Sequence, residues 1–118
     1  TDQANCNGNH DYAGRGAKTG KYRKQTVPVG SLPANPWGLH EMAGNVWEWT
    51  EDCWHDDYQG APTDGTAWRQ SSGMHYARRV LRGGSWDVYP RNLRSANRYW
   101  VNAGDAIYNV GIRLARTP

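Results

Sequence analysis

The stretch NVWEWT at residues 45–50 alternates large aromatic side chains with smaller or polar ones. A period of two residues is typical of a β-strand with one buried face, and here it places Trp47 and Trp49 on the same face. Short strands are also predicted at 79–82, which runs into a pair of glycines, and at 110–114, where apolar residues alternate again. These three segments predict a small, mainly antiparallel sheet.

Between the strands the chain is rich in turns. Its 118 residues include 14 Gly, 7 Trp and 7 Tyr but no Phe, and its mean hydropathy is −0.93. This composition excludes a disordered chain, and no run approaches the roughly 18 apolar residues of a membrane-spanning helix. Residues 1–35 are expected to supply little core, 39–43 to form one helical turn, and 55–76 to form a long surface loop. The expected class is α+β and loop-rich, with short antiparallel strands and few helices.

The two halves of the chain differ in charge. Seven acidic residues and no Lys or Arg lie between Glu41 and Asp64, whereas nine Arg and two acidic residues lie between Gly65 and Pro118. The Arg residues are scattered singly among apolar residues, so internal ion pairs with the acidic stretch are favoured over a phosphate-binding patch. A nucleic-acid partner is therefore not expected.

The Cys and His residues show no ligand or redox spacing. Cys6 and Cys53 lack a CxxC arrangement, and either one structural disulfide or two unpaired thiols fits the sequence. No spacing of the HxxxH kind links the four His residues, which are His10, His40, His55 and His75. The sequence does not begin with a signal peptide. The two Cys residues do not indicate whether the protein works in an oxidising or a reducing compartment.

Five signature blocks occur in order along the chain. They are NPWGL (35–39), MAGNVWEW (42–49), RVLRGGSW (79–86), LRSA (93–96) and GIRL (111–114). Together they resemble the formylglycine-generating enzyme, or sulfatase-modifying factor, family, whose fold is a variant of the C-type lectin fold. The resemblance implies one C-type-lectin-like domain over residues 1–118, as the C-terminal part of a larger family domain. The family's usual N-terminal part is not recognisable before Asn5, so a missing N-terminal segment or a partner chain would complete the core.

The resemblance also shows which family chemistry the sequence lacks. In the oxidase branch, two Cys residues five positions apart follow Gly-Gly-Ser and bind copper, and the matching positions here are Val88 and Leu93. Neither side chain can ligate a metal or transfer electrons. The iron-dependent branch uses His residues of an extra domain that this sequence does not contain. The chain is therefore not expected to be an enzyme.

One structural calcium site is implied by the resemblance. Its carboxylates would be those of Glu41 and Glu48, and its backbone carbonyls those of Gly44 and Val46, with water completing the six to eight oxygens that calcium prefers. An ion pair between Glu48 and an Arg of the family pattern explains the same residue equally well. No cofactor is expected to be required, and calcium would be structural.

Departures from the family pattern are clustered within residues 79–116. They fall in three runs: Asp87-Val88-Tyr89, Tyr99-Trp100-Val101-Asn102 and Asp105-Ala106-Ile107-Tyr108-Asn109. One sort of family member carries Asn-rich runs here, which resemble the variable region of proteins diversified by retroelements. Randomised adenines turn an AAY codon into NNY, which can encode every residue of the three runs except Trp100. Trp100 is one adenine change from an AGG arginine codon.

Residues 79–116 are therefore interpreted as a variable-region segment. Ordinary drift of a surface loop is the alternative, but Tyr, Trp, Val and Ile are poor choices for it. Exposed Tyr and Trp beside Asn and Asp resemble a paratope, in which rigid aromatic anchors are mixed with adaptable polar groups. The clustered residues are expected to form one ligand-binding surface, on which Tyr89, Trp100 and Tyr108 are at least partly exposed.

The function expected from the sequence is that of a receptor-type variable protein of a diversity-generating retroelement. Its partner would be a protein or another surface ligand whose identity is set by the clustered residues. Two alternatives stay open. One is an enzyme or accessory factor like formylglycine-generating enzyme but without the copper cysteines, and the other is a structural interaction domain on the same fold.

Overall fold

Four short β-strands form one mixed sheet in the computed structural model, which describes residues 2–12, 16, 18–70 and 77–115. The strands are β1 (Trp47–Cys53), β2 (Arg78–Arg82), β3 (Tyr99–Asn102) and β4 (Val110–Gly111). Their order across the sheet is β3-β2-β1-β4, with β3 and β4 at the two edges. One 3-10 turn, Pro90–Leu93, is the helical element of the described part, in which no helix is long and apolar enough to cross a membrane. The predicted loop-rich class with few helices is confirmed.

Pairing directions explain how the last strand reaches the sheet. β1 pairs antiparallel with β2, and β2 pairs antiparallel with β3. β4 pairs parallel with β1, through Trp47 opposite Val110, so the sheet is mixed. Because β3 and β4 run in the same direction at opposite edges, residues 103–109 cross the sheet from one edge to the other.

One face of the sheet carries the main hydrophobic core. Trp47, Leu81 and Val101 are buried and form one cluster. Half-buried side chains packed against it are those of Trp49, Val88, Ile107 and Val110. The predicted placement of Trp47 and Trp49 on one core face is confirmed, and the crossing segment 103–109 contacts this face through Ile107.

The opposite face of the sheet is covered by the loop that follows β1. Leu81 of β2 faces the core, so its neighbour Val80 points to the opposite face of the sheet, where it is buried. It lines a cavity of about 200 Å³ together with Tyr58, Pro62 and Trp68. The predicted surface loop at 55–76 thus acts as a cover for the sheet over residues 55–70, and residues 71–76 lie outside the described part.

Residues 1–35 contribute more to the core than the sequence indicated. Cys6 and Leu32 are buried, and Asn5, which is fully buried, forms a β-bridge with Gly44. Gly44 has a φ of 85°, and a Cβ there would collide with the Asn5 carbonyl oxygen, so this approach requires glycine. The expectation of little core failed because isolated buried contacts leave no periodic pattern in a sequence.

The helical turn predicted at 39–43 is wrong. Glu41 has a φ of 48°, which a right-handed helical turn does not allow. Its carboxylate accepts hydrogen bonds from the backbone amides of Gly30 and Leu32 at 2.9 and 3.0 Å. These contacts to a neighbouring loop replace the local hydrogen bonds that a helical turn would need.

The closing strand is shorter than predicted. The alternation over 110–114 predicts five residues of strand, but pairing stops after Gly111. Residues 112–115 make no β-pairing within the described part of the chain, and Ile112 and Leu114 are 72% and 90% exposed. Residues 112–114 therefore have the alternating pattern of a strand but are not paired in this sheet.

Arginine side chains make ion pairs with the acidic stretch and also contact aromatic rings. Two ion pairs join the two halves of the chain, Arg69 with Glu51 and Arg113 with Glu48, each at 2.7 Å. Other guanidinium groups lie over aromatic rings: Arg78 over Trp100, and Arg98 over Trp54 and Tyr58. The predicted internal ion pairing with the acidic stretch is confirmed for Arg69 and Arg113.

Candidate ligand-binding face

The first and third sequence clusters meet at Asp87. Its carboxylate accepts hydrogen bonds from the Tyr108 hydroxyl at 2.9 Å and from the Asn109 side-chain amide at 3.1 Å. The buried Ser85 hydroxyl donates to the same carboxylate at 2.6 Å. Two loops, one after β2 and one before β4, are thus joined at one carboxylate. We call the surface formed by residues 86–89 and 105–109 the two-loop face.

Hydrogen bonding sets the charge state of this junction. Partial burial of Asp87 acts to raise the pKa of its carboxyl, but the donors Ser85, Asn109 and Tyr108 together hold that pKa below the ordinary value. The hydrogen bond to Asp87 raises the pKa of the Tyr108 hydroxyl above its ordinary value. At neutral pH the junction therefore holds an ionised carboxylate and a neutral phenol, which is the pair that this hydrogen bond requires.

Aromatic rings surround the junction. Tyr108 is 73% exposed, and its ring lies 5.9 Å from that of Trp86, which stacks in turn on Tyr22 at 6.1 Å. Tyr89 is 42% exposed, and its ring centroid lies 4.1 Å from that of His10. Tyr22 and His10 belong to the N-terminal segment. Sequence reasoning missed both, since neither lies in a periodic or clustered position.

The second cluster does not extend this face as predicted. It forms β3, along which successive side chains point to opposite sides of the sheet. Val101 is 5% exposed and belongs to the core, so its assignment to an exposed binding surface is wrong. Tyr99, on the same side, stacks on Trp47 with ring centroids 5.4 Å apart and stays half-exposed.

Trp100 lies on the other side of the sheet. The Arg78 guanidinium covers its ring, 3.6 Å from the ring centroid. The two-loop face lies on the core side, because one half-buried side chain from each loop packs against the core cluster. Trp100 is half-buried and faces away from the core side that its neighbour Val101 occupies, so the expectation that it shares one surface with Tyr89 and Tyr108 is wrong.

The remaining clustered residues differ in burial. Asn102, Asp105 and Ala106 are exposed, and the Asp105 carboxylate accepts hydrogen bonds from the backbone and side-chain amides of Asn102 at 3.3 and 3.1 Å. Val88 and Ile107 are half-buried against the core. These two side chains anchor the loops that carry the exposed residues.

The positions that match the copper cysteines lie close together beside Gly84. A Cβ at Gly84 would lie 2.5 Å from a methyl carbon of Leu93 and 3.4 Å from one of Val88. Gly84 has a φ of 80°, so glycine is needed both for the backbone and for this packing. The site of the family's thiolate pair is filled by hydrocarbon, which offers a metal no ligand.

A cavity of about 490 Å³ opens beside Leu93. It is lined by Pro90, Leu93 and residues of the N-terminal segment that include Cys6 and His10. Burial raises the pKa of the Cys6 thiol, which keeps it protonated at neutral pH. Cys6 and Cys53 are both free thiols, so the structure has the unpaired arrangement of the two that the sequence left open.

The residues of the implied calcium site line one cavity of about 200 Å³, namely Glu41, Gly44, Val46 and Glu48. Arg113 also lines it, and its Nε donates to both Glu48 carboxylate oxygens at 2.9 and 3.0 Å. The ion pair that the sequence offered as an explanation of Glu48 is thus confirmed.

Both carboxylates of this cavity are engaged by protein donors. Burial of Glu41 acts to raise its pKa, but hydrogen bonds from the amides of Gly30 and Leu32, with the charge of Arg113 nearby, lower it below the ordinary value. Among the described residues, no three Asp, Glu, His or Cys side chains converge to hold a metal ion. Protein donors therefore occupy positions on both carboxylates for which calcium would have to compete, and calcium binding stays a prediction.

A family model matches the sequence, and the curated relatives that match it include a kinase and an enzyme. The model of the sulfatase-modifying factor enzyme 1-like domain matches residues 2–118. The serine/threonine-protein kinase pkn1 of Chlamydia caviae is 41% identical over 96 residues, which are 80% of this chain and 15% of that protein. The formylglycine-generating enzyme of Thermomonospora curvata is 31% identical over 96 residues, which are 79% of this chain and 32% of that enzyme.

Solved structures with a similar fold include those of two bacterial proteins. PvdO from Pseudomonas aeruginosa matches with a TM-score of 0.68 and 42% identity, over 75% of this chain and 33% of that one. Treponema denticola variable protein 1 matches with a TM-score of 0.61 and 28% identity, over 76% of this chain and 31% of that one. The chain spans about a third or less of the length of each of these four proteins.

Proposed function

The chain belongs to the sulfatase-modifying factor enzyme 1-like family, and we propose that it binds a ligand. It would be the ligand-binding part of a receptor-type variable protein of a diversity-generating retroelement. Its partner would be a protein or another surface ligand, bound at the two-loop face. The chain's relatives include a formylglycine-generating enzyme, and its structural neighbours include a variable protein. Family membership therefore does not distinguish a catalytic function from a binding function. The geometry of the site has to distinguish them.

The junction between Asp87 and Tyr108 carries the proposal. It lets two separate sequence clusters share one surface, while a half-buried side chain in each loop anchors that surface on the core. Exposed positions outside this junction, such as Tyr89 and Ala106, can change with little effect on folding, since surface substitutions usually alter stability by about 0.5 kcal/mol or less. Exposed Tyr side chains then supply the anchors on which binding energy concentrates.

The accessible face is small, because Trp100 and Val101 are not part of it. A standard protein interface uses about 20–30 residues on each side, more than the two loops contain. Binding would therefore depend on Tyr89 and Tyr108, which are exposed and have ring neighbours that hold their orientation. The N-terminal residues His10 and Tyr22 would form a constant border to the variable positions.

Sequencing of the DNA around the coding region tests the proposal. We expect a near-copy of the segment that encodes residues 79–116, beside a reverse transcriptase gene and differing from it only at adenines. Among isolates, the codons of Asp87, Tyr89 and Tyr108 should vary while the codon of the core residue Leu81 stays constant. A locus with no such copy, or equal variation at Leu81, would contradict the proposal.

An enzyme or accessory factor of the formylglycine-generating type is the second candidate. The 31% identity to the Thermomonospora curvata enzyme favours it, as does the cavity that Cys6 and Leu93 both line. Its thiolate pair would have to come from elsewhere, since Val88 and Leu93 cannot supply it. Oxygen consumption with a thiol-containing peptide, measured with and without copper, separates the two candidates, because a binding protein consumes none.

A further inference from the structure

The imidazole ring of His55 is buried and held in one orientation. The side chain is 8% exposed, and its ring lies flat against that of Trp68, with ring centroids 3.4 Å apart and an interplanar angle of 2°. Its Nδ1 lies 3.1 Å from the backbone carbonyl oxygen of Cys53. Because a carbonyl oxygen only accepts, Nδ1 carries the proton, and the lone pair of the neutral ring lies on Nε2. These contacts fix both the orientation and the tautomer of the ring.

The other ring nitrogen, Nε2, is available to a ligand. Within the described residues it has no hydrogen-bond partner. It is not sealed inside the protein, since the side-chain oxygen of Asn5 is the one fully enclosed side-chain N or O atom without a partner in that part of the chain. His55 lines a cavity of about 450 Å³, a size that is typical of small-molecule sites. The buried ring therefore offers a fixed acceptor at the wall of a cavity.

The loop that carries His55 is fixed by contacts of its own. The guanidinium of Arg98 lies over the rings of Trp54 and Tyr58, 4.6 and 4.4 Å from their centroids. Its Nη1 donates a hydrogen bond to the backbone carbonyl of His55 at 3.1 Å. The cavity wall is thus in place before a ligand binds, which lowers the conformational cost of binding.

The polar lining of the cavity favours a positively charged donor. Besides His55, it includes the carboxylates of Asp56 and Asp57 and the side-chain amides of Gln59 and Gln70, and the described lining residues include no Lys or Arg. The backbone amide of Gln59 donates to one oxygen of the Asp57 carboxylate at 2.9 Å and so positions it. An acceptor nitrogen beside a carboxylate matches a group that has both N–H donors and a positive charge.

We propose that this cavity binds a small organic cation through a primary ammonium or guanidinium group. An N–H of the cation donates to Nε2 of His55, and its charge lies beside the carboxylate of Asp57. A metal ion is not favoured, because no three His, Cys, Asp or Glu side chains converge within the part of the chain that the structure describes. A neutral polyol could donate to Nε2 but gains nothing from the carboxylate charge.

The cavity lies on the opposite side of the sheet from the two-loop face. Trp68 lines both this cavity and the smaller one that Val80 lines, so the site belongs to the loop that covers the Val80 side of the sheet. The two-loop face lies on the core side. Cation binding is therefore separate from the proposed function, and a failure of one leaves the other standing.

Titration with a diamine and with its neutral counterpart tests the proposal. Putrescine carries an ammonium group at each end, whereas the diol of the same chain length keeps O–H donors without the charge. We expect putrescine to give saturable changes in the amide chemical shifts of residues 55–60 and 68–70, and the nitrogen NMR signal of Nε2 to move from the value of an unprotonated ring nitrogen. The diol at the same concentration should give neither change.

Variants identify the groups that recognise the cation. Asp57→Asn keeps an oxygen for the Gln59 amide but removes the charge, and it should weaken putrescine binding at least tenfold. Asp64→Asn is the matched control, because Asp64 is an exposed carboxylate of the same loop that does not line the cavity, and its loss should leave the affinity unchanged.

His55→Asn keeps a donor near the position of Nδ1 but has no Nε2, and it should also weaken binding at least tenfold. If this variant does not fold, the exposed Asp57→Asn still tests the site. The absence of saturable shifts with putrescine, equal binding of the diol, or equal weakening by Asp57→Asn and Asp64→Asn would each overturn the proposal.

Discussion

The Tyr108 hydroxyl donates a hydrogen bond to Asp87 across 2.9 Å and joins residues that are 21 positions apart in the sequence. The Asn109 amide bonds to the same carboxylate, so both loops share one polar centre. A substitution of Asp87 should therefore alter the conformation of both loops. In a variable protein, this coupling would make the residues at 87, 108 and 109 dependent on one another.

Replacement of Asp87 should disturb both loops at once. For Asp87→Ala we expect amide chemical shifts to change over 86–89 and 105–109. The free energy of unfolding should fall by about 1–3 kcal/mol, because hydrogen bonds to a charged group are lost and the buried Ser85 hydroxyl loses its acceptor. Two-dimensional NMR and urea titration measure the two effects. Shifts confined to 86–89 would show that the loops are not joined through this carboxylate.

Asp105→Ala is the matched control for this variant. The Asp105 carboxylate is exposed, and its hydrogen bonds stay within its own turn, to Asn102. Its loss should cost no more than about 0.5 kcal/mol and leave the shifts of residues 86–89 unchanged.

Acid should weaken the same junction. The pKa of Asp87 is lower in the folded protein than its ordinary value, so the unfolded chain binds the proton more readily. The stability that Asp87 contributes is therefore present at neutral pH and is lost as the pH falls through the ordinary value of about 3.9 toward the lowered folded value. The pKa of Glu41 is lowered as well, so Asp87→Asn is needed to isolate the Asp87 contribution. Urea titrations between about pH 6 and pH 2 should show a smaller loss in the variant, and equal losses would refute this origin.

Buried and exposed positions of the variable segment should differ in their effect on stability. Tyr89→Ser should change the free energy of unfolding by only about 0.5 kcal/mol, because the side chain is partly exposed and lies outside the core cluster. Val101→Ala should cost about 1–3 kcal/mol, and Trp47→Ala about 3–5 kcal/mol, because both leave a cavity in the core. Thermal and urea unfolding provide the values. If Val101→Ala left the free energy of unfolding unchanged, Val101 would not be a core residue and its assignment to the binding surface would stand.

The strands that carry the core could be predicted because their pattern is local. Trp47 and Trp49 alternate with polar residues, and the glycines after β2 mark where the chain must turn closely past Leu93. Contacts such as Asn5 with Gly44 and His10 with Tyr89 could not be predicted, since they depend on where distant loops meet.

The variable clusters could be located from the sequence but not oriented. A codon pattern indicates which residues change, whereas exposure depends on the period of the strand that holds them. Trp100 and Val101 are neighbours in one cluster, yet β3 turns one toward Arg78 and the other into the core. The parallel pairing of β4 with β1 also required the crossing of residues 103–109, for which the sequence has no local signal.

Copper should bind beside Gly84 only when thiolates are restored there. The protein carrying Cys6→Ser and Cys53→Ser should take up no Cu(I) at this site, because Val88 and Leu93 offer it no ligand. Adding Val88→Cys and Leu93→Cys to that background should give stoichiometric Cu(I) uptake under reducing conditions, since both side chains contact the same small space. Titration with a competing Cu(I) chelator measures the uptake. Stoichiometric binding by the protein without any Cys would mean that another site exists.

Arg113 should stabilise the segment that precedes β1. It bonds to the Glu48 carboxylate and to the carbonyls of His40 and Glu41, so Arg113→Ala removes several contacts and leaves a partly buried carboxylate without its donor. We expect the free energy of unfolding to fall by about 1–3 kcal/mol. Arg69→Ala is the control: its pair with Glu51 has the same 2.7 Å separation but is largely exposed, and its loss should cost less than about 1 kcal/mol.

A structural calcium ion would bind in the cavity that Glu41, Glu48 and Arg113 line. If the ion pair with Arg113 holds Glu48 as described, EDTA should leave the Tm of the protein unchanged and millimolar calcium should not raise it. Arg113→Ala frees the Glu48 carboxylate, and its response to calcium then shows whether Glu41 and the carbonyls of Gly44 and Val46 can complete a site. Magnesium at the same concentration controls for ionic strength. A calcium-specific rise in Tm of the unaltered protein, reversed by EDTA, would show that the cation displaces Arg113 and that the calcium site implied by the sequence is real.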